Sequence, residues 1–238
     1  MWLSELKTVD IGSDAKRAFV VSLGSTEQHG PYAPLGTDTY IQNAFLRAAE
    51  KKLPKVVFLP TIPITCSSEH IGFVGTVSLE PPTLHGILRD ITKSLAQGAT
   101  DLMFVSWHGG NKSVIDDFIA KEKLNFKTTK LSQVTFGDES TDRAAEELLD
   151  GPLDDHAGNM EISLMLAIRP GLVRKPGATD SKVAVNHEWG KRPVIDSAPD
   201  GVVDSHPRWV ASEAIGNELL DLYSDNLVEK LQKVIADA

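Results

Sequence analysis

Cysteine is nearly missing from this chain. Cys66 is the only one, so no intrachain disulfide can form. A zinc site built on several thiolates is excluded with it, and any metal must be held by histidine and carboxylate. No apolar run approaches the length of a membrane span. The segment Met1-Trp2-Leu3-Ser4-Glu5-Leu6-Lys7 lacks the basic start and apolar core of a signal peptide, so the expected location is cytoplasmic. An excess of basic residues is also missing: 24 Lys and Arg stand against 33 Asp and Glu, for a net charge of −9. That balance argues against nucleic acid and anionic membranes as partners, because both are bound by basic patches that neutralise phosphate. A small or neutral ligand fits better. Nor is there a linker or a low-complexity stretch to divide the 238 residues, so one domain over 1–238 is expected.

What is present is alternation of strand and helix, which predicts an α/β fold with a mostly parallel sheet covered on both sides. The apolar run Phe19-Val20-Val21-Ser22-Leu23 reads as a buried strand, ended by Gly24. Glu27, His29 and Asp38 follow at once. In extended backbone, residues i and i+2 point to the same side, so Glu27 and His29 can present a carboxylate and an imidazole together. Asp38 opens the helix suggested by Thr39 to Lys52. Two carboxylates and an imidazole at a strand's carboxyl end suit a divalent metal. Each alone has a plainer reading, as a lysine partner, a loop histidine or a helix cap. The three together between glycines favour a site.

Val56 to Leu59 is a second strand, followed by an irregular stretch, Thr61 to Pro82, carrying Ser68, Glu69 and His70. Loops there commonly wall the ligand site of an open sheet. Glu69 and His70 would point apart if extended, which makes them poor partners for one metal; substrate contact and a loop salt bridge both stand. Thr83 caps a helix to about Gln97, with His85 on its surface. Leu102 to Ser106 is a third strand, and His108-Gly109-Gly110 follows it directly, ahead of a helix over Asn111 to Glu122. Paired glycines let backbone approach a ligand, and a helix amino end favours an anion or polarised oxygen. Lys130 to Phe136 is a fourth strand nearer an edge, and Ser140 to Leu149 an acidic, solvated helix. His156 precedes a helix starting near Gly158 with Glu161 in its first turn. The pair either complements the helix dipole or supplies a proton donor near neutral pH. Arg169 to Trp209 reads as surface or subunit-contact loops, with no chemistry assigned to His187 or His206. Val210 to Ala238 is a closing amphipathic helix, and Met1 to Lys16 a short amphipathic segment.

Glu-Gln-His-Gly, Thr-Asp, the Glu69-His70 to Gly75-Thr76 loop, His-Gly-Gly-Asn and Asp-His-Ala-Gly with Glu161 behind it stand in the order of one family. From about Phe19 to Leu166 the chain resembles the creatininase family of metal-dependent amidohydrolases. The resemblance implies a three-layer α/β/α fold, a homo-oligomer (often a hexamer) and two divalent ions per subunit, zinc, manganese or iron. It implies that Asp38 bridges the ions, that Glu27 and His108 serve one, and that His29 serves the other. Creatininase has a further carboxylate at the position of Gly110, and Glu161 is the candidate replacement. Creatininase also has a tryptophan where this chain has Pro152, which speaks against creatinine itself. The peptidases that trim the mycofactocin precursor and the archaeal formamide deformylases share the same motifs.

The expected reaction is therefore hydrolysis of a C–N bond other than a standard peptide bond, in a cyclic amide, formamide or peptide-like substrate, by a metal-activated hydroxide. His156 passes a proton to the leaving nitrogen, and Glu161 binds metal or orients water. Ser68, Glu69, His70, Gly109 and Gly110 are the expected substrate contacts. A serine hydrolase is the weaker rival, because no G-x-S-x-G elbow accompanies His108-Gly109-Gly110. A non-catalytic metal-binding assembly protein is the other.

Overall fold

The structure is a computed structural model, and it describes residues 1–11, 17–176 and 183–236. Parts of the predicted Met1 to Lys16 segment, the Arg169 to Trp209 loops and the end of the last helix lie outside these residues. The elements in order are α1 (Thr8–Ile11), β1 (Arg17–Leu23), α2 (Thr37–Lys52), β2 (Val57–Phe58), α3 (Pro81–Leu95), β3 (Ala99–Ser106), α4 (Asn111–Glu122), β4 (Lys130–Val134), α5 (Glu139–Leu149), β5 (Asp154–His156), α6 (Asn159–Ile168), β6 (Val203–Asp204) and α7 (Glu213–Ala236).

Four strands pair in the order β2-β1-β3-β4, all parallel. Successive side chains on a strand face opposite ways, and a parallel sheet is stable only when both faces are covered. Val20, Met103 and Val105 pack with Phe45, Met165, Leu219 and Leu227 from the helices of one layer. Phe19, Val21, Leu102 and Phe104 pack with Leu84, Leu88, Ile115 and Phe118 from α3 and α4 on the other face. The result is a three-layer α/β/α fold. Phe45, Phe58, Phe104 and Phe118 are completely buried, and each contributes on the order of 1.5–3 kcal/mol by leaving water.

Several boundaries differ from the sequence reading for local reasons. Helix α3 starts at Pro81, with Glu80 as its cap residue and Thr83 inside the helix; proline suits the first turn because its missing N–H would bond nothing there. Asp138 caps α5 by accepting from the amides of Ser140 and Thr141, both at 3.1 Å. His85 is half-buried between two helices, with Nε2 3.0 Å from the carbonyl of Val114, and is not a surface residue. The 169–209 region is more than surface loop: β6 pairs antiparallel with β5, and His187 and His206 are buried.

Candidate metal centre

Register brings the two sequence constellations together. Leu23 lies opposite Ser106 in the pairing of β1 with β3, so the segments leaving those strands run side by side at the crevice where open α/β sheets bind ligands. Glu27 and His29 come from the first segment, His108 from the second, and Asp38 from the first turn of α2. The β5 strand delivers His156, and the first turn of α6 delivers Glu161. Between them Ala157 takes φ +57°, a left-handed conformation that a non-glycine residue adopts only at a cost.

The side chains converge. His108 Nδ1 lies 3.1 Å from Glu27 Oε1 and 3.8 Å from Asp38 Oδ2. His29 Nε2 is 3.7 Å from the same Asp38 oxygen and 3.5 Å from Glu161 Oε2. Asp38 Oδ2 thus sits between the two imidazoles. Three overlapping groups could each hold a metal ion: Glu27, His29 and His156; Glu27, Glu69 and His108; and His29, Asp38 and Glu161. The test of fit is polar satisfaction. Both carboxylate oxygens of Glu27 and the Nε2 of His29 are buried without a hydrogen-bond partner, a costly condition that divalent cations would relieve. The donor set of imidazole and carboxylate suits zinc, manganese or iron.

Charge in the metal-free protein is arranged to match. Burial pushes the Glu27 carboxyl upward, only partly offset by His108. Burial would strip His29 of its proton, but Asp38 and Glu161 outweigh it and raise its pKa to about 10. His108 is likewise raised to about 10, by Glu27 and Asp38 against burial. The Asp38 carboxyl, disfavoured by burial, is held well below its usual range by His29 and His108. Burial, and then the charges on His108 and His29, lowers His70 to about 3. Burial, and then the charge on His29, holds His156 well below its usual range in the same way. Two imidazoles therefore carry protons where cations would sit, and two stay neutral. Metal binding must displace the protons on His29 and His108.

A ring of outer hydrogen bonds fixes these groups. Ser25 Oγ donates to Asp38. The indole N–H of Trp107 donates to Glu161 Oε1 at 2.9 Å, and the amide of Ala157 to Oε2 at 2.7 Å. His29 Nδ1 donates to the carbonyl of Glu27 at 3.1 Å, which turns Nε2 inward. His108 Nε2 donates to the carbonyl of Cys66 at 2.7 Å and does the same for Nδ1.

Gln28 decides two further tautomers. Its amide nitrogen has two protons and three acceptors in reach: His70 Nδ1 and His156 Nε2, each at 2.9 Å, and the Gly201 carbonyl at 3.1 Å. His156 Nε2 also lies 2.7 Å from the backbone carbonyl of Gln28, which can only accept. So His156 carries its proton on Nε2, and the amide serves His70 and Gly201. His156 Nδ1 is left bare, 3.8 Å from Glu27 Oε1.

Glu69 and His70 do not point apart. Residues Ser68–His70 form a 3-10 turn instead of extended backbone, and both side chains turn inward. His70 Nε2 reaches 3.4 Å from Glu27 Oε1, and Glu69 Oε1 reaches 3.3 Å from His108 Nε2. Ser68, Glu69, His70, His108, Gly109, Gly110 and His156 line a cavity of about 850 Å³ that opens from the centre. Trp189 forms part of its far wall. Gln28, Trp107 and Trp189 are positions in contact with this site or its cavity that sequence reasoning passed over. Only Gln28, inside the Glu-Gln-His motif, carried a local signal.

Fold and site together define a three-layer α/β protein with a His and carboxylate metal centre at the carboxyl ends of two adjacent strands. The chain belongs to the creatininase family, whose model, described as creatinine amidohydrolase, matches residues 4–231. Among curated relatives, a mycofactocin precursor peptide peptidase of Mycobacterium ulcerans (strain Agy99) is 32% identical over 164 residues, covering 66% of this chain and 60% of that protein. A creatinine amidohydrolase of Pseudomonas putida is 29% identical over 170 residues, 65% of each chain. The chain thus spans about 60–65% of the length of these relatives. Among solved structures, a manganese creatininase superposes with a TM-score of 0.79 at 22% identity, over 98% of this chain and 97% of that one. A creatininase variant of Zn–Zn type gives 0.74 at 20% identity, over 98% and 97%.

Proposed function

We propose that the chain hydrolyses the C–N amide bond of a peptide-like substrate at a dinuclear metal centre. The observation that carries this is the group of buried, unpartnered donors on Glu27 and His29, gathered with Asp38, His108 and Glu161. Glu27 and His108 would hold one ion, His29 and Glu161 the other, with Asp38 between. When bound, such ions lower the pKa of a water from about 15.7 toward about 7 and polarise the substrate carbonyl.

The rest of the chemistry falls to the protein. His156 is neutral and its bare Nδ1 faces the centre, so it accepts the proton of the attacking water and then hands it to the leaving nitrogen. The role expected for His156 as a donor thereby acquires an earlier half, in which the same atom is the base. A proton relay of this kind contributes about 10²–10⁴-fold to rate. Gln28 holds the ring in that tautomer. Ser68, Glu69, His70, Gly109 and Gly110 face the substrate. A cavity of about 850 Å³ is far larger than a formyl group needs, and the named activity of the mycobacterial relative is peptide cleavage; both support a peptide-like amide over a formamide or a small ring. Ile71 and Val74, exposed at 58% and 100%, support a homo-oligomer in which this loop is covered.

The test is turnover of short peptides, formamides and cyclic amides by protein stripped with chelator and then given Mn²⁺ or Zn²⁺. Cleavage of peptides, abolished by chelation and restored by either ion, is expected. No turnover of any of them by protein holding two ions per chain would move the assignment to a non-catalytic metal-binding protein.

A further inference from the structure

Glu69 stands in one of the three candidate groups but holds neither ion in the assignment above, and its placement is specific. Its carboxylate lies at the boundary between the buried centre and the open cavity, with the side chain 17% exposed. Gly110 explains how it gets there. A Cβ built on Gly110 would stand 2.2 Å from Glu69 Oε1 and 2.4 Å from His108 Nε2. The carboxylate fills the volume that any side chain at position 110 would need.

The pairing of that carboxylate with the protein is sparse. Its one ion-pair partner among the described residues is His108 Nε2, at 3.3 Å. The Nε2 proton is already committed to the carbonyl of Cys66 at 2.7 Å. Lys191, a cation on the cavity wall, is engaged with Glu188 at 2.9 Å. Meanwhile Glu27 presents two buried oxygens that have no hydrogen-bond partner. One donor atom each from Glu27, Glu69 and His108 falls within 4.8 Å of the others, the spacing at which a single cation can join three ligands. Two carboxylates and an imidazole arranged this way offer the donor set of a cation, whose binding would displace the proton on His108.

We propose that Glu69 is a protein ligand of the ion held by Glu27 and His108, and that the absent side chain at Gly110 is what admits it. The proposal rests on the dinuclear reading of the site. With Asp38 it gives that ion four protein donors, against three for the ion at His29 and Glu161. The first position is then closed by protein, and the second keeps room for water or substrate, the distinction that separates structural from catalytic ions. Glu69 would also tie the 3-10 turn Ser68–His70, one wall of the cavity, to occupancy of the centre.

The experiment is a Mn²⁺ titration of chelator-stripped full-length protein, followed by calorimetry and by electron paramagnetic resonance of free Mn²⁺. Wild type is expected to take up two ions. Glu69→Gln, which keeps size and removes charge, should weaken one of them at least tenfold and leave the other within threefold. Ser68→Ala, in the same turn, should keep both at wild-type affinity, and the metal-free melting temperature of each variant should match wild type. Two ions at wild-type affinity in Glu69→Gln would overturn the proposal while leaving the dinuclear reading intact, and would reduce Glu69 to a partner of His108. Wild type that takes up no Mn²⁺ would overturn both.

Discussion

Replacing Gln28 with leucine removes the amide at the hub of the site while keeping nearly the same volume. Gln28 is 5% exposed. Its amide nitrogen serves His70 Nδ1 and the carbonyl of Gly201, and its Oε1 accepts from the amide of Gly30 at 2.9 Å. Leucine can replace none of these bonds. Three polar groups are orphaned. Each costs about 1–3 kcal/mol when left unpaired in the interior; taking the low end for all three gives a loss of about 3 kcal/mol. For a chain of this length about 1 kcal/mol corresponds to roughly 2–4 °C, so the metal-free protein should melt roughly 6–12 °C lower. His70 also loses the contact that selects its tautomer, while the backbone carbonyl that sets His156 remains, so hydrolysis by metal-loaded protein should fall even where the protein is folded. Scanning calorimetry of stripped protein, with turnover measured well below the transition, checks both effects. A melting temperature within 2 °C of wild type would refute the satisfaction argument, and with it the tautomer assigned to His70.

Trp107→Phe keeps aromatic contact with Phe45, Phe136 and Tyr223 but deletes the N–H that orients Glu161. Loss of such an outer bond should weaken one Mn²⁺ site by about 10–100-fold in a calorimetric titration; unchanged affinity would show that Glu161 needs no such support. His156→Ala should lower turnover by about 10²–10⁴-fold with both ions retained, whereas an equal loss of metal would make His156 a ligand. Burial, with Glu69 and Glu80 adding to it, pushes the Cys66 thiol up to about 11. The thiol is therefore protonated at neutral pH. Iodoacetamide at pH 7.5 should label it about 300-fold more slowly than a free thiol of pKa near 8.5, with the rate climbing as pH rises. Labelling at the free-thiol rate would contradict that burial.

Much of this architecture could be read before the fold was known, because its signals are local. β1 and β3 are apolar runs long enough to be buried strands, and the helix placed over Asn111 to Glu122 has those bounds in the structure. Chemistry-bearing residues directly after each strand end were visible for the same reason. Pairing was not. Nothing in residues 99–106 says that β1 is their neighbour, yet that adjacency is what joins His108 to Glu27. β2 is only two residues long and is held by β1 on one side. The inward turn of Glu69 and His70 depends on a 3-10 conformation that a loop with Ser-Ser does not announce. Gln28 and Trp107 look like ordinary polar and aromatic positions until their partners, His70 and Glu161, arrive from 42 and 54 residues away. The pairing of β5 with β6, which sets Asp154 opposite Asp204, was hidden behind the composition of an irregular loop.

The central claim is a pair of ions that share Asp38. It is tested most directly by elemental analysis of metal per chain in protein purified without added metal, for wild type and Asp38→Ala. Near two ions in wild type and almost none in the variant is the predicted result. One ion or fewer in wild type, unchanged by the loss of Asp38, would contradict the shared centre and the mechanism built on it.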